Sequence, residues 1–342
     1  MLDKLSYLQK KSVRFIDSEM PISKIGIGTY LGSDSESDSR GYIESIVKAA
    51  LLGCNVIDTA INYRGMLSEK NVGEAIKKII DGGGATREQL VIATKGGFVP
   101  CNWINQEPRE SIELQKTNFI KNNILPVINV NQDVIKNIFN HYHSIDNNYI
   151  EYMFNYSLNN LDLDYLDIYY LHNPEKSAEY LCKDDIYIQI FESFSFLESM
   201  VKIGKLKYYG LSTYNAFLHD RDNVFYLDLE IIVELAKKAG GEGHHFKYIQ
   251  LPYNKVLRNA GELKNQMYNN VALSTIDSAY CHGINIITNM SLNQVKSKDQ
   301  YSIDDMINFL IENEKISSSL IGMKKPSRVI ENMSHINNEL KL

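Results

Sequence analysis

Four side chains could do chemistry together. Asp58, Lys95 and His172 close three short apolar runs, "NVIDT", "LVIATK" and "LDIYYLH", and Tyr63 stands in the loop just past the first. They bring a carboxylate, an amine, an imidazole and a phenol. A phenol with an ordinary pKa of about 10 protonates a developing alkoxide efficiently only when something nearby favours its ionised form, and a lysine ammonium does that. A buried lysine loses its own proton unless a carboxylate holds it charged. Asp58 is therefore read as the support of Lys95, Lys95 as the tuner of Tyr63, and His172 as a neutral imidazole orienting a carbonyl oxygen. The set describes a general-acid site for carbonyl reduction that still needs a hydride source. Singly, each residue has an ordinary reading, since Tyr63 is one of 22 tyrosines and His172 one of eight histidines. Only their joint placement argues for a site.

What must position them is an alternation of elements. Eight runs read as strands buried on both faces: "KIGIGT", "NVIDT", "LVIATK", "LDIYYLH", "YYGLST", "YIQLPY", "INIIT" and "SSLIGM". Between them lie amphipathic stretches spaced for helices, from "YIESIVKAALLG" to "PSRVIENMSHINN", several ending at a glycine (Gly53, Gly204, Gly240, Gly283). Eight strands alternating with eight helices predict an α/β fold, a (β/α)8 TIM barrel, forming one domain over residues 1–342. Such barrels work at the C-terminal ends of their strands, where Asp58, Lys95 and His172 fall. A typical barrel needs roughly 250 residues, and most of the surplus lies at 97–147, between the third strand and its helix. That segment holds three of the seven prolines and the single tryptophan, and it predicts an inserted loop or lid over the barrel mouth. Its Phe98, Trp103 and His143 are candidates for the substrate pocket, with plain hydrophobic packing as the alternative. "GSDSESDSR", after the first strand, reads as a solvated loop.

Composition sets the class. The 342 residues are 44% hydrophobic and 23% charged, enough for a large core, with apolar runs too short to cross a bilayer. The first residues lack the apolar stretch of a secretory signal, so the expected location is cytoplasmic. Four scattered cysteines without a C-x-x-C pair argue against zinc and disulfides and predict thiols in or near the core. "HYH" and "HH" lack an acidic partner at ligand spacing, so no metal is expected. A net charge of −6 without a basic block excludes a nucleic-acid footprint, leaving a small molecule as the expected partner.

The chain resembles the aldo-keto reductases through "GIGT", "GCNVIDTAINY" with "SEKNVGEAI", "VIATKGG", "LNNLDLDYLDIYYLHNP", "GKLKYYGLST", "YIQLPYN" and "IGMKKPSRVIENM", all in family order. The resemblance implies a catalytic tetrad of Asp58, Tyr63, Lys95 and His172 with Tyr63 as proton donor. It also implies a nicotinamide cofactor bound without a Rossmann fold, and no G-x-G-x-x-G follows a strand here. Residues implied to hold that cofactor are Thr29, Asp58, Ser212, Thr213, Gln250, Arg328 and Asn332. Arg328 falls on the arginine that meets an adenosine 2′-phosphate, so NADPH is favoured and NADH is the alternative, with Lys324 and Lys325 adding to that lean. Two departures stand out. Thr213 replaces a common asparagine, and Asn289 stands where many members stack a tyrosine under the nicotinamide. The function implied is reversible reduction of an aldehyde or ketone. The alternative is an NADP(H)-binding, redox-sensing regulator with slow or no turnover.

Overall fold

The computed structural model describes residues 20–101, 111–296 and 299–339. Trp103 and the N-terminal segment lie outside the described residues.

Among the described residues, eight parallel strands close on themselves: β1 (Ile25–Gly28), β2 (Val56–Asp58), β3 (Val91–Gly96), β4 (Leu166–His172), β5 (Leu206–Ser212), β6 (Phe246–Pro252), β9 (Asn285–Asn289) and β10 (Ser318–Gly322), which returns to β1. Helices α1 (Glu36–Leu51), α2 (Leu67–Asp81), α5 (Asn147–Leu161), α6 (Lys183–Lys202), α7 (Leu229–Gly240), α9 (Thr275–Cys281), α10 (Ile303–Ile311) and α11 (Pro326–Glu339) alternate with these strands. This is the expected (β/α)8 barrel.

Strand periodicity explains the two cores. Successive residues face opposite sides, so Val56, Val91, Ala93, Ile168, Tyr170, Tyr248 and Ile287 fill the barrel with Met20 and Ile22. Their neighbours Ile57, Ile92, Tyr169, Leu171, Tyr209 and Ile249 face outward against helix residues such as Val72, Ile76 and Phe194. Burying each such aliphatic side chain contributes about 1.5–3 kcal/mol. The same parity carries Asp58, Lys95, His172, Ser212 and Gln250 inward at one end of the barrel. Matched register keeps them level: His172 pairs with Ser212, and Ser212 with Gln250.

Four local expectations change. The acidic serine run is not wholly loop, because Ser35 accepts from the Asp38 N–H and starts α1 at Glu36. Helix α7 ends at Gly240 as expected, but the positive φ falls one residue on, at Gly241 (75°). The stretch expected as helix from Ala272 begins instead with a hairpin, β7 (Gln266–Tyr268) and β8 (Val271–Leu273). Asn269 and Asn270 both take positive φ in its two-residue turn, a geometry asparagine tolerates, and Ser274 then caps α9. Cys54 and Cys101 are buried as expected, but Cys182 and Cys281 are exposed.

The insertion has packed structure of its own. Helix α3 (Ile112–Phe119) runs into a π-turn over Ile120–Ile124, and α4 (Gln132–His141) follows. Phe119, Ile120, Ile124, Val134 and Ile138 are buried in the outer core. The segment's ends are zipped together: Val99 N–H donates to the Tyr142 carbonyl at 2.8 Å, and Ser144 N–H to that of Gly97 at 2.9 Å.

Candidate active site

The interior-facing ends of β2 and β3 meet first. Lys95 Nζ donates to Asp58 Oδ1 at 2.5 Å and to the Thr59 carbonyl at 2.8 Å, entirely out of solvent. The other Asp58 oxygen accepts from Gln250 Nε2 at 2.7 Å, and Gln250 Oε1 accepts from Ser212 Oγ at 3.0 Å. A continuous polar network thus joins four strands. Burial weighs against both charges of the ion pair, pushing the Asp58 carboxyl up and the Lys95 ammonium down, and each is the counter-charge that opposes the other's shift.

Tyr63 is brought over this pair by a tight turn. Arg64, Gly65 and Met66 all have positive φ (49°, 62° and 68°), which reverses the chain within one step of the tyrosine. Arg64 anchors the turn rather than facing the site. Its guanidinium donates to the Ser33 carbonyl, Asn71 Oδ1 and Ser39 Oγ and lies over the Tyr42 ring, binding the turn to the β1–α1 loop and α2. The Tyr63 ring centre lies 5.0 Å from Lys95 Nζ, with Tyr30 edge-on at 5.0 Å and His172 at 6.0 Å. The expected lowering of the phenol pKa is not what the fold produces. Burial first, then the Asp58 charge, pushes Tyr63 well above the ordinary phenol value, so it stays protonated. His172 is driven the other way, well below the ordinary imidazole value, by burial and then by Lys95 and His143. It is a neutral ring, and its Nδ1 is buried without a hydrogen-bond partner.

The residues expected around a cofactor divide into four groups. Thr29 is committed to structure: its hydroxyl and N–H both donate to the Asp58 carbonyl. Ser212 and Gln250 belong to the network that holds Asp58. Thr213 is different, because its hydroxyl is buried with no partner, as are Asn289 Oδ1 and Ser291 Oγ at and beyond the end of β9. Such orphaned polar atoms at strand ends suit the amide and hydroxyl groups of a dinucleotide. On α11, Asn332 is buried, while Arg328 is exposed and paired with Glu331 Oε2 at 2.5 Å. Lys324 is tied to Asp38 at 2.8 Å and so is less available to a phosphate than its sequence position suggests.

One contributor was missed in the sequence and another was given a different role. Glu175 is buried, and its Oε1 accepts from the N–H groups of Tyr214 and Asn215, fixing the loop that follows Ser212 and Thr213. A carboxylate three residues past His172, in "HNPE", was the available signal. The second is the wall behind His172. His143, in the insertion, sends Nε2 to the His172 carbonyl at 2.8 Å and is fully buried rather than lining the pocket. The histidine pairs read for metal have other partners: His141 meets Glu179, and His245 meets Glu198. Among the described residues no group of three or more potential ligands is positioned for a metal, and no helix is long and apolar enough to span a membrane.

An ion pair, a protonated phenol and a neutral imidazole thus stand together at one end of the barrel, the groups that acid–base work on a small molecule would need. Solved structures share the fold. An aldo/keto reductase from Klebsiella pneumoniae, in complex with NADP and acetate, superposes with a TM-score of 0.57 at 18% identity, covering 96% of this chain and 90% of that one. The holo form of an aldo-keto reductase from Bacillus halodurans gives 0.59 at 17% identity, covering 95% and 90%. The model of the aldo/keto reductase family matches residues 24–221, more than half of the chain, and the chain belongs to that family. Among curated relatives, the NADH-specific methylglyoxal reductase of Escherichia coli strain K12 is 27% identical over 229 residues, 65% of this chain and 57% of the relative. The NADP-dependent D-sorbitol-6-phosphate dehydrogenase of Malus domestica is 26% identical over 213 residues, 58% of this chain and 51% of the relative. The aligned region spans about half the length of these relatives.

Proposed function

We propose that the chain is an NAD(P)H-dependent oxidoreductase that reduces an aldehyde or ketone to an alcohol, reversibly, with Tyr63 as the proton donor. The observation that carries this reading is the buried Lys95–Asp58 pair with the Tyr63 ring above it and the neutral His172 beside it. When bound, the dinucleotide supplies the hydride. Thr213, Asn289 and Ser291, with their unpartnered polar atoms, and Asn332 would hold it, and Arg328 would meet a 2′-phosphate in NADPH. NADH remains the alternative, in line with a relative named as NADH-specific. His172 orients the carbonyl oxygen toward the Tyr63 hydroxyl. Tyr63 keeps its proton until charge develops on that oxygen, and the Lys95 ammonium then stabilises the phenolate left behind. Asp58 holds Lys95 charged through the step.

Relatives named for methylglyoxal and D-sorbitol 6-phosphate support a short carbonyl compound or polyol as substrate. Phe98, at the start of the insertion, lies beside His172 and supports a role for the insertion in walling the mouth. The test is NADPH oxidation against small aldehydes, ketones and sugars, comparing the parent with Tyr63→Phe and following cofactor binding separately. The expected result is normal binding and a loss of about 10²–10⁴-fold in kcat for the variant. Equal turnover by both would remove Tyr63 from the role, and binding without turnover by either would favour the regulatory alternative.

A further inference from the structure

A histidine ring that must aim one nitrogen at a substrate is usually held by a hydrogen bond to the other. His172 has no such bond at Nδ1. Its orientation must come from packing, and the packing comes from the insertion. The Phe98 ring meets the His172 ring edge to face, 4.9 Å between centres and 86° between planes, and the Tyr63 ring meets it at 6.0 Å and 77°. Phe98 is fixed in turn by His143, through an isolated antiparallel bridge and a second ring contact at 4.9 Å. His143 Nε2 lies 2.8 Å from the His172 carbonyl, and the Tyr180 hydroxyl donates to the His143 carbonyl at 3.2 Å. No space is left for slack, since a Cβ on Gly97 would come within 2.6 Å of the His172 carbonyl and 3.2 Å of His143 Nε2.

We infer that Phe98 and His143 of the inserted segment are the positioning residues for the His172 imidazole, replacing the hydrogen bond that its Nδ1 lacks. The role of a catalytic His172 rests on the reductase reading, but the positioning itself does not. Phe98 supplies the ring contact. His143 holds Phe98 and the His172 backbone in one frame, and its N–H donor is the feature that matters.

The experiment uses the full chain and four proteins: the parent, Phe98→Leu, His143→Leu and His143→Gln, the last keeping an N–H donor near the His172 carbonyl. Nitrogen-15 NMR of the imidazoles, with His172 assigned through a His172→Gln reference, reads ring ordering without turnover. Steady-state kinetics with NADPH and a carbonyl compound read its consequence. Phe98→Leu and His143→Leu are expected to shift and broaden the His172 ring signals and to lower kcat roughly tenfold or more with little change in the KM for NADPH. His143→Gln should recover most of both. Unchanged His172 signals in Phe98→Leu and His143→Leu would overturn the inference, as would a glutamine variant no better than leucine. Should His143→Leu fail to fold, Phe98→Leu and His143→Gln carry the test. A parent inactive on every carbonyl, with His172 signals that respond as expected, would sink the reductase reading and leave the positioning intact.

Discussion

The two ends of the expected cofactor site are built in opposite ways. At the tetrad end Lys95 has no exposed surface and Asp58 almost none, and every polar atom of the pair has a named partner. At the far end Arg328 keeps 59% of its side-chain surface in solvent and meets Glu331 one turn along the same helix. Both are ion pairs at 2.5 Å. Distance therefore says little about their weight, and burial says nearly everything: a buried pair exacts a large penalty when one partner is removed, while an exposed pair contributes between nothing and about 1 kcal/mol.

The most severe break of this contrast is Lys95→Met. It leaves the Asp58 carboxylate facing a methionine, with Gln250 as its one remaining side-chain donor, and should cost about 3–5 kcal/mol in denaturant unfolding. Adding Asp58→Leu to that variant should restore most of the loss, because a matched apolar pair carries no uncompensated charge. A single variant losing less than about 1 kcal/mol would mean that water reaches the pair, and the contrast with Arg328 would collapse.

A second break uses pH. Burial lowers the His143 imidazole from 6.5 to about 4. The unfolded chain then takes up a proton between those values and the folded chain does not. Stability from this residue is complete above pH 6.5, falls as pH drops toward 4, and changes little below it. The full swing is about 3 kcal/mol, at 1.36 kcal/mol for each pKa unit. Buried Asp58, Glu69 and Glu175, raised by burial, work in the opposite direction over the acid range, so the readout is a difference. The stability of His143→Gln should fall less steeply than that of the parent from pH 6.5 to 4. Parallel curves would show that His143 is reached by solvent, and the buried frame behind His172 would lose its basis.

The barrel and the gathering of Asp58, Lys95 and His172 at one end of it were legible because both rest on short-range rules. Alternating apolar runs mark strands, and a two-residue period sends Asp58, Lys95 and His172 to one side once the strands close. What stayed hidden depended on distance in the chain. His143 reads as a candidate for the pocket or for plain packing, and its place behind His172 shows only when the fold lays it 2.8 Å from the His172 carbonyl. The β7–β8 hairpin hid behind helix-like spacing, though "YNN" was a turn signal left unused. Tyr63 failed for another reason. Its neighbours were rightly identified, but a lysine's pull on a phenol was weighed without the burial that outweighs it.

The gentlest change tests the exposed end. Glu331→Gln removes the charge paired with Arg328 and should alter stability by less than about 0.5 kcal/mol, as expected for a surface pair. Its effect on ligands should be larger than its effect on folding. A guanidinium released from a carboxylate is free to accept a phosphate dianion, with its planar fork suited to two oxygens at once. NADPH should therefore bind severalfold more tightly to Glu331→Gln while NADH is unaffected, and Arg328→Ala should weaken NADPH alone. Equilibrium titration by cofactor fluorescence separates the two dinucleotides. If both respond equally, the gain is a general loss of negative charge near the site. If neither responds, Arg328 meets no phosphate, and the preference for NADPH loses the residue on which it rests.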